Sequence, residues 1–306
     1  MQDRKIKVLY IAGYERSGST LLHNVLGQLD GFFGAGELRE IWERSLIKNR
    51  RCGCGAPFKE CEIWRRVIDE GFGGMHRIDA HEMTRLRNGI RNRHFPLVLL
   101  PQRERLLKAR LGSFPEHLEK LYRAIRSTTN GRVIIDSSKS PTYGYVLGTL
   151  PAVDLYVVHI VRDPRGVQHS LLKRKQAGER MYLKHTSVKG SLTWDALNLT
   201  AETIWRNSPR RYLRLRFEDF IRKPRAAVER ILEMMQERVE RFPFTGEREV
   251  ELDATHTVIG SPSRFNTGTV ELRLDEAWRE KMKPSDKAIV TTLTRPLLSR
   301  YGYLDE

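Results

Sequence analysis

The stretch "VLYIAGYERSGSTLL", Val8 to Leu22, decides how the rest of this chain is read. A short apolar run ends at Gly13, a polar loop follows, and Gly18 opens a helical pattern. A buried strand that turns on glycine into a helix directs backbone N–H groups at an anion. The spacing Gly13-x4-Gly18 is that of a phosphate-binding P-loop, but Ser19 stands where a nucleotide triphosphatase carries lysine. Ser17, Ser19 and Thr20 add hydroxyls, and Arg16 adds a fixed positive charge suited to forked oxygen recognition. The loop alone leaves two readings, a phosphate cradle and a ligand-free turn.

Outward from this loop the chain alternates strands and helices. Apolar runs at 6–12, 132–136, 154–161 and 211–217 are each followed by a polar loop and a helical pattern. Near-continuous apolar strands between helices predict an α/β fold, P-loop-like, with a central parallel sheet between two helical layers. A helical insertion, about 38–130, follows the first strand and helix, with helices expected at 38–47, 79–93 and 115–128. Its arginines, Arg85, Arg87, Arg91, Arg93, Arg103, Arg105 and Arg110, form either a solvated face or a path for an acidic substrate. A last helix is expected from Pro284 to Arg300, with proline in its first turn and Asp286 near its positive end. The whole of 1–306 reads as one domain.

The 306 residues carry a formal net charge of +16. That balance fits polyanionic cofactors or substrates as well as nucleic acid, but the charge is spread along the chain and no nucleic-acid motif accompanies it. No stretch approaches the roughly 20 apolar residues of a membrane span, and the first apolar run leads straight into the loop, so the expected location is cytoplasmic. The three cysteines, Cys52, Cys54 and Cys61, lie in "RCGCGAPFKEC". A zinc site needs four ligands, and the nearest downstream histidine is His76, so packed free thiols are expected and no metal.

A second motif narrows the ligand. In "VVHIVRDPRGVQHS" an apolar strand ends at Val161, and Arg162 and Ser170 stand eight residues apart across the start of a helix. They suit a grip on one phosphate from two sides; the alternative is a salt-bridged cap with a buried hydroxyl. Together the two stretches resemble the sulfotransferases that use 3′-phosphoadenosine 5′-phosphosulfate (PAPS). "RSGSTLL" is similar to their 5′-phosphosulfate loop and "RDPRGVQHS" to their 3′-phosphate pattern. "LRFEDF" (215–220) resembles their strand-end motif with Phe217 in place of tyrosine, and "GSPSRFNTG" (260–268), with Trp278 beyond, their late basic loop. The likeness spans roughly residues 6 to 280.

The resemblance implies PAPS as sulfuryl donor, a hydroxyl or amine of a small-molecule or carbohydrate-like acceptor, and no metal. It implies cofactor contacts from Arg16, Ser17, Gly18, Ser19, Thr20, Arg162, Ser170, Phe217 and Arg264. Lys139, in "IIDSSKSP", follows the second expected strand and stands either as transition-state stabiliser or as an exposed loop lysine. Glu37, in "GAGELRE", is read as the base, with helix capping as the alternative. His23, His159 and His169 are read as packing residues. Residues after 175 and the insertion are expected to shape the acceptor pocket. Two other classes stay open: a P-loop kinase or nucleotide hydrolase, with Asp136 organising Mg²⁺, and a basic nucleic-acid binder.

Overall fold

The computed structural model describes residues 5–177, 179 and 182–304. Strand β1 (Ile6–Gly13) leads through the loop to helix α1 (Ser19–Leu26), then strand β2 (Phe32–Gly36). The insertion follows, with helices α2 (Glu62–Phe72), α3 (Ala80–Arg87), α4 (Phe95–Val98), α5 (Arg103–Leu111) and α6 (Phe114–Thr129). Strand β3 (Val133–Lys139), α7 (Pro141–Thr149), β4 (Val153–Val161), α8 (Pro164–Gln176), α9 (Ser187–Trp205) and β5 (Tyr212–Arg216) complete the main sheet. Then come α10 (Phe217–Arg222), α11 (Pro224–Met235), β6 (Glu249–Leu252), β7 (Gly268–Glu271), α12 (Trp278–Lys281) and α13 (Pro284–Arg300).

The main sheet has the order β2-β3-β1-β4-β5, and all its neighbours are parallel. In β1 the side chains alternate between two buried layers. Ile6, Val8, Tyr10 and Ala12 face a core shared with the insertion, while Leu9 and Ile11 face one shared with α1, α10 and α11. Burial on both faces is why the strand reads as an uninterrupted apolar run.

Sequence patterning places four of the five strands and the last helix, Pro284–Arg300. It misses β2, "FFGAG", because two glycines and an alanine in five residues carry little strand propensity. The insertion therefore begins after this second strand. The helix expected at 38–47 is a 3₁₀ turn (Leu38–Glu40) running into a wide π-helical segment (Ile41–Ile47). The turn and the segment together set Glu40 and Glu43 on the buried Arg87, at 2.8 and 3.1 Å. The helix expected at 79–93 stops at Arg87, where Gly89 turns the chain. Arg85, Arg91, Arg93, Arg103, Arg105 and Arg110 are exposed, and Arg87 is buried.

Candidate active site

Open parallel sheets place ligands outside the carboxyl ends of their strands, where the strand order reverses. Here β1 lies at that reversal, and each strand end delivers one of the residues singled out from sequence. The loop after β1 carries Arg16 to Thr20, β2 ends before Glu37, and β3 ends at Lys139. Arg162 follows β4, and Phe217 follows β5. The loop, Glu37, Lys139, Arg162 and Phe217 line one cleft of about 380 Å³.

The loop depends on Gly18, whose φ of 84° lies in the left-handed region. A Cβ there would fall 2.2 Å from the Phe217 ring. Phe217, buried beneath the loop, also carries the Arg162 guanidinium 4.9 Å above its ring. The Ser17 hydroxyl is fully buried and has no hydrogen-bond partner among the described residues. Arg16 donates from Nε to Ser170 Oγ at 3.0 Å, and Arg162 donates from Nη1 to the Arg16 carbonyl at 3.1 Å. Arg162 and Ser170 thus both bond to Arg16, one at its carbonyl and the other at its side chain. Burial, reinforced by the neighbouring Arg174 and Arg162, pulls Arg16 below the ordinary guanidinium value. Cations held together out of water are relieved by an anion. A glycine turn with no room for a side chain and converging guanidinium groups fit a phosphosulfate; the buried Ser17 side chain does not line this cleft.

Across the cleft, Lys139 Nζ donates to Glu37 Oε1 at 2.5 Å, with both side chains about one-fifth exposed or less. Two features aim this pair. Lys139 sits where the β1–β3 register slips, and its φ of 67° is left-handed for a residue with a side chain. Arg16, with φ 65°, shares that strain. Glu37 follows Gly36 (φ 90°), whose missing Cβ lets segment 257–259 press against the strand; Glu37 N donates to the Ile259 carbonyl at 3.3 Å. Glu37 makes no side-chain cap to the following 3₁₀ turn, so its carboxylate faces Lys139 rather than serving the backbone.

Lys139 and Tyr182 also line a second cleft of about 620 Å³, with Arg39, Arg91, Asn92, Lys184 and His185. Arg16, Arg174 and Ser261–Ser263 lead into a third, of about 1190 Å³, which includes Ser170. The acceptor stretch expected after residue 175 contributes Tyr182, Lys184 and His185, while Gly178, Arg180 and Met181 lie outside the described residues.

Other expectations land differently. Arg264 lines none of these three clefts. Its Nη1 donates to the Gly260 carbonyl at 2.7 Å, and its guanidinium lies 4.2 Å over the Phe265 ring. It holds the late loop, while Ser261 and Ser263 of that loop reach the cleft. Asp136 is fully buried and accepts hydrogen bonds from Ser138 Oγ at 2.5 Å and Tyr122 at 2.6 Å. It lines none of the clefts, so the aspartate offered for a kinase reading is a core group. His23 and His159 are fully buried packing residues, as expected; His169 lies at the edge of the third cleft. Sequence reasoning did not single out Arg174 or Arg44, because only folding brings them to the loop, whereas Tyr182 and Ser261 lie in the two stretches already expected to border the site. The basic run after Ser170, which holds Arg174, was the one available hint.

The cysteine turn needs a correction. The three thiols form no disulfide, as expected. But the fourth neighbour is not missing: His256, far downstream, places its ring against Cys52 and Cys61.

Residues 9–241 match the model of the sulfotransferase family. Two solved structures share the fold over nearly their whole length. One is the sulfotransferase domain of the olefin synthase of Synechococcus PCC 7002, at 19% identity and TM-score 0.55, covering 97% of this chain and 96% of that one. The other is the sulfotransferase domain of the curacin biosynthetic pathway, at 18% identity and TM-score 0.53, covering 98% and 99%. A comparison with curated proteins gives no match in sequence. With the family model spanning most of the chain, from the P-loop through all five strands of the main sheet, the protein belongs to the sulfotransferase family and is a sulfotransferase.

Proposed function

We propose that residues 1–306 act as one domain that moves a sulfuryl group from PAPS to a hydroxyl or amine of a small polar acceptor, with Glu37 as base. The observation that carries this reading is the Lys139–Glu37 pair: both side chains line the phosphate-binding cleft, and Lys139 also lines the second cleft. PAPS supplies a sulfuryl group on a phosphate that departs as adenosine 3′,5′-bisphosphate. Arg16, Ser19, Thr20 and the N–H groups at the start of α1 hold the 5′-phosphate, where negative charge builds as the bond to sulfur breaks. Arg162 and Ser170 hold the 3′-phosphate. Phe217 supports the loop beneath, and Arg264 tethers the segment that closes it. The acceptor proton goes to the Glu37 carboxylate, while the Lys139 ammonium meets the charge on the transferred group. Fixed cations supply the positive charge, so the proposed mechanism has no metal step.

The second cleft, lined by Arg39, Arg91, Lys184, Asn88 and Asn92, suits an acceptor rich in hydroxyls or carrying negative charge. A carbohydrate-like small molecule fits that chemistry. The proposed setting is the cytoplasm.

Two measurements test the reading. Thermal shift should show stabilisation by adenosine 3′,5′-bisphosphate without added magnesium, and not by ATP with Mg²⁺ or a generic oligonucleotide. Stabilisation by ATP only with Mg²⁺ would favour a kinase, and tight salt-dependent oligonucleotide binding a nucleic-acid protein. A screen of polyols and sugars with labelled PAPS then supplies an acceptor for turnover. Glu37→Gln should lower turnover by about 10²–10⁴ while bisphosphate affinity holds; collapse of that affinity would make Glu37 structural.

A further inference from the structure

The cysteine turn lies outside the clefts and is not used by the transfer chemistry. The ligand atoms of Cys52, Cys54, Cys61 and His256 all lie within 4.8 Å of one another. Cys54 Sγ stands 3.8 Å from Cys61 Sγ, and His256 Nδ1 stands 3.2 Å from Cys61 Sγ and 3.9 Å from Cys52 Sγ. A zinc tetrahedron with Zn–S near 2.3 Å has edges of about 3.8 Å between sulfurs and slightly less between sulfur and nitrogen. Three thiols and one imidazole are gathered at about that scale, with the Cys54–Cys61 edge at 3.8 Å, and the thiols are free.

The frame around the four groups is built to hold them. The turn closes through Cys52 N to the Ala56 carbonyl at 2.8 Å and Gly55 N to the Cys52 carbonyl at 2.9 Å. It is stitched to the segment carrying His256 by Gly53 N to the Thr257 carbonyl at 2.9 Å and Trp64 Nε1 to the His256 carbonyl at 2.6 Å. Cys52 and Cys61 are buried, while Cys54 is exposed and leaves an entry path.

We propose that Cys52, Cys54, Cys61 and His256 bind one structural Zn²⁺. Four protein ligands close the tetrahedron and leave no position for water or substrate, which sets the site apart from catalytic zinc. Its role is mechanical. It ties the insertion to the loop between β6 and β7, and that loop runs three residues from His256 to Ile259, whose carbonyl accepts from Glu37 N. Segment 260–263 continues into the phosphate-binding cleft. The metal thus fixes the covering loop from outside, and this inference stands on the four ligands whether or not Glu37 is the base.

The test is metal content. Protein purified without chelator should carry about one zinc per chain by elemental analysis, and Co²⁺ replacement should give the intense visible bands of a tetrahedral thiolate site. Cys54→Ser, at the exposed ligand, should lose most of the metal while keeping the fold by circular dichroism. Chelation should lower the melting temperature of the unaltered chain and leave that of Cys54→Ser unchanged. Reduced, folded protein that takes up neither Zn²⁺ nor Co²⁺ would overturn the proposal. So would a Cys54–Cys61 disulfide found by non-reducing peptide mapping of the freshly isolated chain.

Discussion

Replacing Gly18 by alanine tests the loop geometry most directly. Two costs follow from the structure. A residue with a Cβ at φ 84° pays about 1–2 kcal/mol for left-handed backbone. The new methyl would also lie 2.2 and 2.3 Å from two carbons of the Phe217 ring, against a comfortable contact of about 3.5–4.0 Å. The ring is buried and held under Arg162, so it has little room to yield. Overpacking of this kind costs about 1–3 kcal/mol. If the loop moves to relieve both, the sum appears in ligand affinity as roughly a thirty-fold to few-thousand-fold loss. Isothermal titration calorimetry with adenosine 3′,5′-bisphosphate reads it directly. Phe217→Leu in the Gly18→Ala background should recover the steric share, about 5- to 150-fold, and leave the backbone share unrecovered. Unchanged affinity in Gly18→Ala would refute the geometry of the loop. A double variant binding no more tightly than Gly18→Ala would show that the ring is not the obstacle.

Two further outcomes are expected. Arg162→Ala should weaken adenosine 3′,5′-bisphosphate by about 1.5–3 kcal/mol but scarcely alter adenosine 5′-phosphate; equal losses on both, by calorimetry, would place Arg162 in loop support alone. Burial pulls His23 and His159 down to about 4, so the unfolded chain takes up their protons first as pH falls below about 6.5. Each imidazole should cost stability on the order of 3 kcal/mol between pH 6.5 and 4. Asp136, pushed up to about 6 by burial, acts in the opposite sense, its stabilisation being lost as pH rises from about 4 through 6. Two imidazoles against one carboxyl leave these groups with a net loss on acidification. Urea unfolding of His159→Gln should show a shallower acid limb, and an identical limb would count against the assignment.

Local patterning was enough for the scaffold and for most of one binding surface. Apolar runs buried on both faces mark parallel strands wherever they occur, and the strand-to-helix loops at Gly13–Thr20 and Val161–Ser170 carry their anion chemistry within a few residues. Glu37 and Lys139 were legible only as separate candidates, each with an ordinary alternative. Their pairing depends on β2 lying beside β3, and β2 was the strand that two glycines concealed. Arg264 read as a ligand contact because its loop does reach the cleft; the direction of one side chain is set by packing, here against Phe265 and the Gly260 carbonyl.

The sequence by itself determined the layered α/β architecture, the P-loop and the arginine and serine that follow β4, because those signals arise within one strand and its neighbouring turn. Only the tertiary structure decided what lies across a cleft or between distant segments. It set Glu37 on Lys139, took Asp136 into the core and brought His256 to three cysteines 195 to 204 residues earlier. The physical reason is that hydrophobic periodicity and turn chemistry act over a few residues, whereas a site assembled from five strand ends follows from their order in the sheet.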